Sequence, residues 1–368
     1  MKATPVDPLA GRTGRAAALL LAMGGVLAVP SGAQESSAVA GHLELELELE
    51  VEHSSTRVTC EHGNEVGLGA LEAPEKGETA RLQWHAAWED TNRVLFGSRL
   101  MRFDRTYGDL KLDLDRGGAR GSLSLVSPLE GLPHRWSRNQ DGPGYACSVL
   151  SDPEEATARV LATLESDLSF SWVLPANGFS QPGQVWHPET GDLIESLWPG
   201  GFGPAGHLGY DVSDGEYPSE LMIHVALVPS ITPDALFWSG TIDGDVRAEL
   251  QALEAERVAV IALQFHTYTS IAIEDWFGAL LHGEKDFPTD LPYSGEGLRV
   301  ALRGSGTVRW SIERKLLISV ELSGEVEMDA SLQWSYSWDA PQIEEFFGER
   351  SETWRGHFEL AGAAERRE

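Results

Sequence analysis

Residues 43–52 alternate between an aliphatic residue and glutamate without interruption. Successive side chains of a β-strand point to opposite faces, so this order places the leucines and the valine on one face and the carboxylates on the other. Leucine and glutamate are good helix formers, but on a helix the same order would spread the leucines around the whole circumference. The pattern therefore predicts a half-buried strand with an apolar face and an acidic face.

The same alternation recurs along the chain and predicts a mainly β fold. The segments expected to be strands are 80–85, 93–103, 110–114 paired with 122–126, 246–253 paired with 258–273, 298–312, 316–336 and 353–360. Bends or bulges are expected at Gly304, Gly306 and Gly324. We therefore predict long curved antiparallel strands that form an open barrel or a two-lobed sheet, with one or two short helices.

One segment near the middle of the chain has clear helical features. Ser151 or Asp152 can cap it, Pro153 suits the first turn, and apolar residues recur at helical spacing as far as Leu164. The predicted organisation is an N-terminal β lobe (42–150), a helix and connection (151–168) and a C-terminal β lobe (169–368). A short helix is also expected at 342–347, and the composition of 246–253 leaves a helical alternative there.

The N-terminus has the features of a secretory signal peptide over residues 1–33. Basic residues precede a short apolar segment, 16–29, and the small residues Ser31, Gly32 and Ala33 suit cleavage before Gln34. The apolar segment is shorter than the ~20 residues that span a bilayer. Residues 34–41 are expected to form a flexible lead-in. The sequence therefore predicts an exported protein, periplasmic or extracellular, with no integral membrane segment after cleavage.

The charge balance restricts the partners of the chain. It carries 57 acidic and 28 basic residues, a formal net charge of −29. Such a surface repels nucleic acids and anionic lipid headgroups, so neither is an expected partner. It can attract cations or a basic protein, although solvated strand faces account for the same composition.

Cys60 and Cys147 are the two cysteines of the chain. In an oxidising compartment an even pair predicts one disulfide, which would contribute about 4 to 5 kcal/mol in the chain-entropy model. Two unrelated buried thiols are the alternative.

Catalytic and cofactor motifs are weak. Residues 201–206 match a dinucleotide-binding glycine pattern on paper, but they open no amphipathic helix on which a phosphate could rest. Two groups of carboxylates beside aromatic residues would suit a glycosidase: Glu274 and Asp275 beside Trp276, and Asp211 and Asp214 near Tyr210 and Tyr217. We predict no metal site, no cofactor and no catalytic residue.

Aromatic residues are the better indication of a binding site. Trp334, Tyr336 and Trp338 share one face of a predicted strand, and Trp310 is expected on a neighbouring strand. These four residues would form the wall of an apolar ligand cavity or a stacking platform for sugar. A packed core is the alternative, because large aromatic side chains dominate burial energy.

A resemblance covers the half of the chain after Ser169. Its elements, in order, are Leu174-Pro175, Gly183, Trp186, residues 258–263, Gly304-Ser305-Gly306 ahead of Trp310, and Leu322-Ser323-Gly324. The chain resembles uncharacterised exported bacterial β-rich proteins with a Leu-Pro…Gly-x-x-Trp element. Its architecture is also similar to lipoprotein-carrier half-barrels, which implies an apolar cavity.

The resulting expectation is an exported, non-catalytic β-protein that binds a hydrophobic molecule or an envelope protein. A secreted carbohydrate-active enzyme that uses a carboxylate pair is one alternative. A structural envelope or surface component is the other, and a solid core without converging carboxylates would favour it.

Overall fold

The computed structural model describes residues 33–35, 38–60, 74–96, 99–115, 122–127, 129–138, 145–150, 168–197, 241–271, 293–338 and 344–367. The strands are β1 (Ala33–Glu35), β2 (Val39–Cys60), β3 (Thr79–Phe96), β4 (Arg99–Asp115), β5 (Ser122–Val126), β6 (His134–Arg138), β7 (Tyr145–Val149), β8 (Val185–Trp186), β9 (Thr241–Glu254), β10 (Val258–Ile271), β11 (Tyr293–Ser311), β12 (Leu316–Trp338) and β13 (Glu344–Arg366). Helix α1 spans Thr190–Ser196, and single 3₁₀ turns span Ser171–Val173 and Ala255–Arg257. The predicted mainly β class is confirmed.

All these strands belong to a single sheet. Its order is β7-β6-β4-β3-β2-β13-β12-β11-β10-β9-β8, with β1 and β5 paired beside β3 and β4. Neighbouring strands are antiparallel, and the sheet is not closed. The segments predicted as two lobes therefore contribute the two halves of one sheet.

The two halves meet where β2 pairs with β13 at the centre of the sheet. The pairing runs from Val39 opposite Arg366 to Cys60 opposite Phe346. Strands from the beginning and the end of the described chain thus form the middle of the fold. The other connections along β2–β4 and β9–β13 join sequence neighbours.

One face of the sheet, called the inner face here, is packed and apolar. On β2 the four leucines between Leu43 and Leu49 are at most 1% exposed, whereas Glu44 and Glu46 between them are exposed. The row that contains Leu47 continues across the sheet through Leu82 on β3 and Phe358 on β13. The alternation of residues 43–52 therefore forms the strand that it predicts, and it sets the register of the core.

A bulge in β4 changes which residues face inwards. Ala87 pairs with Asp109 and Trp88 pairs with Tyr107, so Gly108 is an extra residue between them. Beyond the bulge, Leu110, like the even-numbered leucines that follow it, is buried on the inner face. Before the bulge the inner face carries the odd-numbered residues Phe103, Arg105 and Tyr107, each of which is 0% exposed.

Gly304 and Gly324 face each other on β11 and β12. A Cβ atom on Gly304 would lie 2.3 Å from the carbonyl oxygen of Ser323, and one on Gly324 would lie 2.4 Å from that of Arg303. Pairing is uninterrupted from Gly297 to Arg309, so these glycines are not at bulges. They are required by the close approach of the two backbones.

Several local predictions need correction. The strand expected over 93–103 is two strands, because β3 ends at Phe96 and β4 begins at Arg99. The helix expected at 342–347 is wrong from Glu344 onwards, where β13 begins. The lead-in expected at 34–41 is wrong from Val39 onwards, since pairing in β2 starts there. The helical alternative for 246–253 is wrong, because those residues pair with β10.

The helix predicted after Ser151 lies outside the described residues. Among the helices that the structure describes, none has both the length and the apolar composition needed to cross a bilayer.

Candidate functional site

Of the four side chains in the predicted aromatic wall, the structure describes that of Trp310. This side chain is 3% exposed on the inner face and lies opposite Leu317 at one end of the β11–β12 pair, whereas Trp334 lies opposite Tyr293 at the other end. About 17 residues of β12 separate the two positions, which corresponds to about 55 Å of extended strand. The side chains of Trp334, Tyr336 and Trp338 lie outside the described part. Their role in ligand binding remains a prediction.

The inner face instead contains a buried arginine within an aromatic cage. The side chain of Arg105, on β4, is 0% exposed. Its guanidinium carbon lies 4.8 Å from the ring centroid of Trp88, 4.9 Å from Phe103, and 5.9 Å from both Tyr107 and Trp136. Aromatic faces attract a cation most strongly where water is excluded, so this cage stabilises the buried charge.

Asp90 on β3 neutralises the charge of Arg105. The Arg105 Nε atom donates to Asp90 Oδ1 at 2.7 Å, and an Nη atom donates to Oδ2 at 2.9 Å. The two residues are direct cross-strand partners, so the register of β3 and β4 sets this geometry. A buried ion pair is tolerated when hydrogen bonds satisfy both partners in this two-point manner.

A second carboxylate, Asp104, precedes Arg105 in β4 and lies on the opposite face of that strand. Asp104 accepts hydrogen bonds from the Arg135 Nε atom at 2.6 Å and from the Asn92 side-chain amide at 2.8 Å. The Arg135 hydrogen bonds hold the pKa of Asp104 below its ordinary value, although burial acts in the opposite direction. The carboxylate therefore remains charged and links β3, β4 and β6.

His134 and Cys147 also lie at the cage, and burial keeps both neutral. Burial lowers the pKa of His134 to about 4, with a smaller contribution in the same direction from Arg105. Its Nδ1 atom donates to the Leu132 carbonyl oxygen at 2.9 Å; this hydrogen bond raises the pKa but does not outweigh the effect of burial. Burial raises the pKa of the Cys147 thiol to about 12, so it is not a thiolate nucleophile at neutral pH.

The space beside the cage is small. A cavity of about 20 Å³ is bordered by Asp90, Arg93, Arg105 and Trp310. This volume accommodates one water molecule. Arg93 spans the adjacent region and donates to the carbonyl oxygen of Lys315 at 2.8 Å, so it joins β3 to the β11–β12 turn.

A second buried ion pair lies towards the C-terminal end of β2, whereas the Arg105–Asp90 pair lies at its N-terminal end. Arg350 and Glu352 are adjacent on the inner face of β13, and the Arg350 guanidinium is hydrogen-bonded to the carboxylate. The Trp354 indole N–H donates to the other carboxylate oxygen at 3.0 Å. Glu352 lies opposite Ser54, whereas Asp90 lies opposite Val39, so a buried ion pair lies near each end of the apolar core.

The outer face has a larger concavity, which we call the outer hollow. Its volume is about 880 Å³, and it opens to solvent. The small residues that line it are Ala40, Gly41, Ala87, Gly108, Ala363 and Ala364. The polar residues are His42, Glu89, Thr106, Glu365 and Arg367, and the larger apolar residues are Trp88 and Ile318. Arg367 and Glu89 form an ion pair of 3.0 Å across it.

The predicted disulfide is wrong. Cys147 is a free cysteine. It lies opposite Trp136, which in turn lies opposite Phe103, at the end of the sheet where β2 begins. Cys60 is the last residue of β2, about 21 residues and about 70 Å of strand from Val39. The Cα atoms of a disulfide lie within about 7 Å of each other.

The other candidate sites lie outside the described residues. These are the glycine pattern at 201–206 and the carboxylates Asp211, Asp214, Glu274 and Asp275 with their aromatic neighbours. In the part that the structure describes, no group of three or more histidine, cysteine, aspartate or glutamate residues is arranged to hold a metal ion.

The cage was missed from the sequence although a signal was present. Phe103, Arg105 and Tyr107 alternate, which places an arginine between two aromatic residues on one strand face. The bulge at Gly108 shifts their register relative to the leucines that follow, so the inward direction of Arg105 is not readable from the pattern.

Comparisons with known proteins do not assign this chain to a family. No family model matches the chain, and no curated protein matches it. A solved structure titled "InvG secretin domain beta-barrel from Salmonella SPI-1 injectisome NC-base" matches with 9% identity and a TM-score of 0.16, over 91% of this chain and 64% of that one. At this TM-score the similarity is too low to indicate a shared fold or function.

Proposed function

We propose that this chain is an exported, non-catalytic β-protein that acts by binding a protein partner on its surface. The observation that carries the proposal is the packing of the inner face. Its apolar residues contact one another in one continuous core, and the cavity beside the cage has a volume of only about 20 Å³. Pockets for small molecules usually measure about 300 to 1,000 Å³.

This packing favours a protein partner over a hydrophobic cargo. A carrier needs an apolar space that the cargo can fill, and here side chains occupy the corresponding face. The outer face offers the larger volume, about 880 Å³, and small and polar residues line it together with Trp88 and Ile318. A surface with these properties suits a polypeptide rather than a lipid chain.

The chemistry of the buried groups favours a non-catalytic role. Cys147 retains its proton, and Arg105 is paired with Asp90 inside the aromatic cage. A nucleophile requires a thiolate, and a general base requires access to substrate. His134 is 0% exposed, so its ring has no such access. These groups are better explained as stabilising elements of the core.

Native mass spectrometry tests the proposal. The full chain is expressed with export to the periplasm of a bacterial host, and the purified protein is weighed under native and denaturing conditions. We expect the same mass under both conditions, and we expect it to equal the mass of residues 34–368 because processing removes residues 1–33. An additional apolar mass that is lost on denaturation would overturn the proposal and support a carrier. Retention of residues 1–33 would contradict export.

A further inference from the structure

The outer face of the central strands is strongly acidic. The carboxylates on this face of β12, β13 and β2 include Glu321, Glu325, Glu327, Glu359, Glu365, Glu44, Glu46, Glu48, Glu50 and Glu52. Arginines offset only some of them: Arg81 pairs with Glu48 at 3.1 Å, and Arg355 pairs with both Glu52 and Glu327. Most of the remaining carboxylates are exposed and have no ion pair among the described residues.

Two of these carboxylates face each other directly. Glu46 on β2 lies opposite Glu359 on β13, and both are exposed. Like charges in directly opposite positions destabilise a sheet. The Gln83 side-chain amide donates to Glu46 at 2.9 Å, but an amide does not neutralise the charge. A cationic group placed over this pair would remove the repulsion.

The acidic face is continuous with the outer hollow. His42 borders the hollow and precedes Glu44 by two residues, so the two lie next to each other on the same strand face. Ala363 and Ala87, the cross-strand neighbours of His42, form part of the floor. A backbone can approach the sheet closely there because the floor side chains are small. The hollow and the carboxylates together provide shape and charge for one occupant.

We propose that this surface is the docking site of a basic polypeptide segment, whose lysine or arginine side chains meet the carboxylates around Glu46 and Glu359 and whose backbone enters the outer hollow. This inference rests on the proposed partner-binding function and names the partner's chemistry. Charge complementarity selects the occupant, since nucleic acids and anionic lipids carry the same sign of charge as this face.

The test is a binding titration of the full chain with a labelled synthetic peptide of alternating lysine and alanine, followed by fluorescence anisotropy at low ionic strength. A peptide of alternating glutamate and alanine is the control for charge. The double variant Glu46→Gln/Glu359→Gln removes the opposed carboxylates. Its matched control, Glu189→Gln/Glu313→Gln, makes the same change in net charge at exposed positions that lie outside this face.

A second pair of variants tests the hollow. Ala87→Trp fills its floor, whereas Ala301→Trp adds the same side chain to the outer face of β11, away from the hollow. Both alanines are partly exposed, so the larger side chain can point into solvent and the sheet can still form.

We expect Glu46→Gln/Glu359→Gln and Ala87→Trp each to weaken binding of the lysine peptide by at least about threefold, and the matched controls to weaken it by less. The glutamate peptide should not bind. Equal effects of the carboxylate variants and their controls would overturn the inference, since attraction would then depend on net charge alone. Absence of binding would also overturn it. Neither result would affect the partner-binding proposal, which native mass spectrometry tests separately.

Discussion

Phe265 and Phe358 lie three strands apart in the same cross-strand row, yet their ring centroids are 6.1 Å apart. In a flat sheet three strand spacings amount to about 14 Å. Gly304 and Gly324 occupy the two positions between them, so no side chain separates the rings. The sheet therefore bends across this pair of glycines, and the two phenylalanines close over them.

A side chain at Gly324 should disrupt this bend. We expect Gly324→Val to lower the free energy of unfolding by about 3 kcal/mol, because its Cβ would lie 2.4 Å from the Arg303 carbonyl oxygen and 2.8 Å from the Phe358 ring. Urea unfolding measures the change. Gly108→Ala is the control: no atom lies within 4 Å of its added Cβ, so its effect should stay within about 0.5 kcal/mol. Equal effects of the two changes would contradict this account of the bend.

Removing the buried cation should be costly. Arg105→Met leaves Asp90 as an uncompensated charge inside the core, so we expect a loss of about 3 to 5 kcal/mol in unfolding free energy. The exposed pair Arg81–Glu48 provides the comparison, and Arg81→Met should cost at most about 1 kcal/mol. The double variant Asp90→Leu/Arg105→Met should be more stable than Arg105→Met alone. If it is less stable, the cost arises from lost packing rather than from the unpaired carboxylate.

His134 should make stability depend on pH. Its pKa is about 4 in the folded protein and about 6.5 when unfolded, so below pH 6.5 the unfolded state binds more protons. Stability is therefore complete above pH 6.5 and falls towards pH 4, with a loss of about 2 kcal/mol at pH 5. Urea unfolding at pH 7.5 and pH 5 measures this difference, which should shrink in His134→Gln. The Asp104 carboxylate, whose folded pKa is lowered, contributes stability that is lost only below about pH 4. An unchanged difference in the variant would assign the effect to other groups.

Cys147 should be an unreactive free thiol. Burial raises its pKa to about 12, so almost no thiolate is present at neutral pH. In a Cys60→Ala variant, we expect no reaction of the native protein with a thiol reagent at pH 7.5 and one reacting thiol per chain after denaturation without reductant. Rapid labelling of the native variant would show that Cys147 is accessible. In the unaltered chain, zero thiols after denaturation would reinstate the Cys60–Cys147 bridge.

Much of the sheet was predictable because its strands are long and alternate regularly. The hairpin of β9 and β10 and the pairing of β11 with β12 follow from the sequence pattern, since each apolar face needs burial and neighbours in sequence are joined by short turns. The boundary between β3 and β4 was not predictable in the same way. Residues 93–95 are all buried, so the alternation that marks a strand face is interrupted just before the turn.

The candidate sites were harder to predict because they depend on contacts between distant residues. The cage needs Trp88 and Trp136 from two other strands around Arg105, and the pairing of Glu46 with Glu359 needs the central β2–β13 register. The spacing of residues in the sequence reveals neither the contacts of the cage nor the pairing of Glu46 with Glu359. The position of Trp310 was not predictable for a related reason. Trp310 lies on the expected neighbouring strand, but the direction of that strand places it far from Trp334.

The β2–β13 seam has a consequence for the order in which the chain acquires structure. Val39 and Arg366 are roughly 330 residues apart in sequence, so this contact has a very high contact order and closes a long loop. During synthesis, the leucine row of β2 emerges long before its partner strand β13. Until β13 has been synthesised, the edge of β2 that pairs with it lacks that partner. A strand edge without a partner is prone to aggregate. We therefore expect the sheet to be completed only after β13 has been synthesised, and a chain truncated before residue 344 to depend on chaperones to remain soluble.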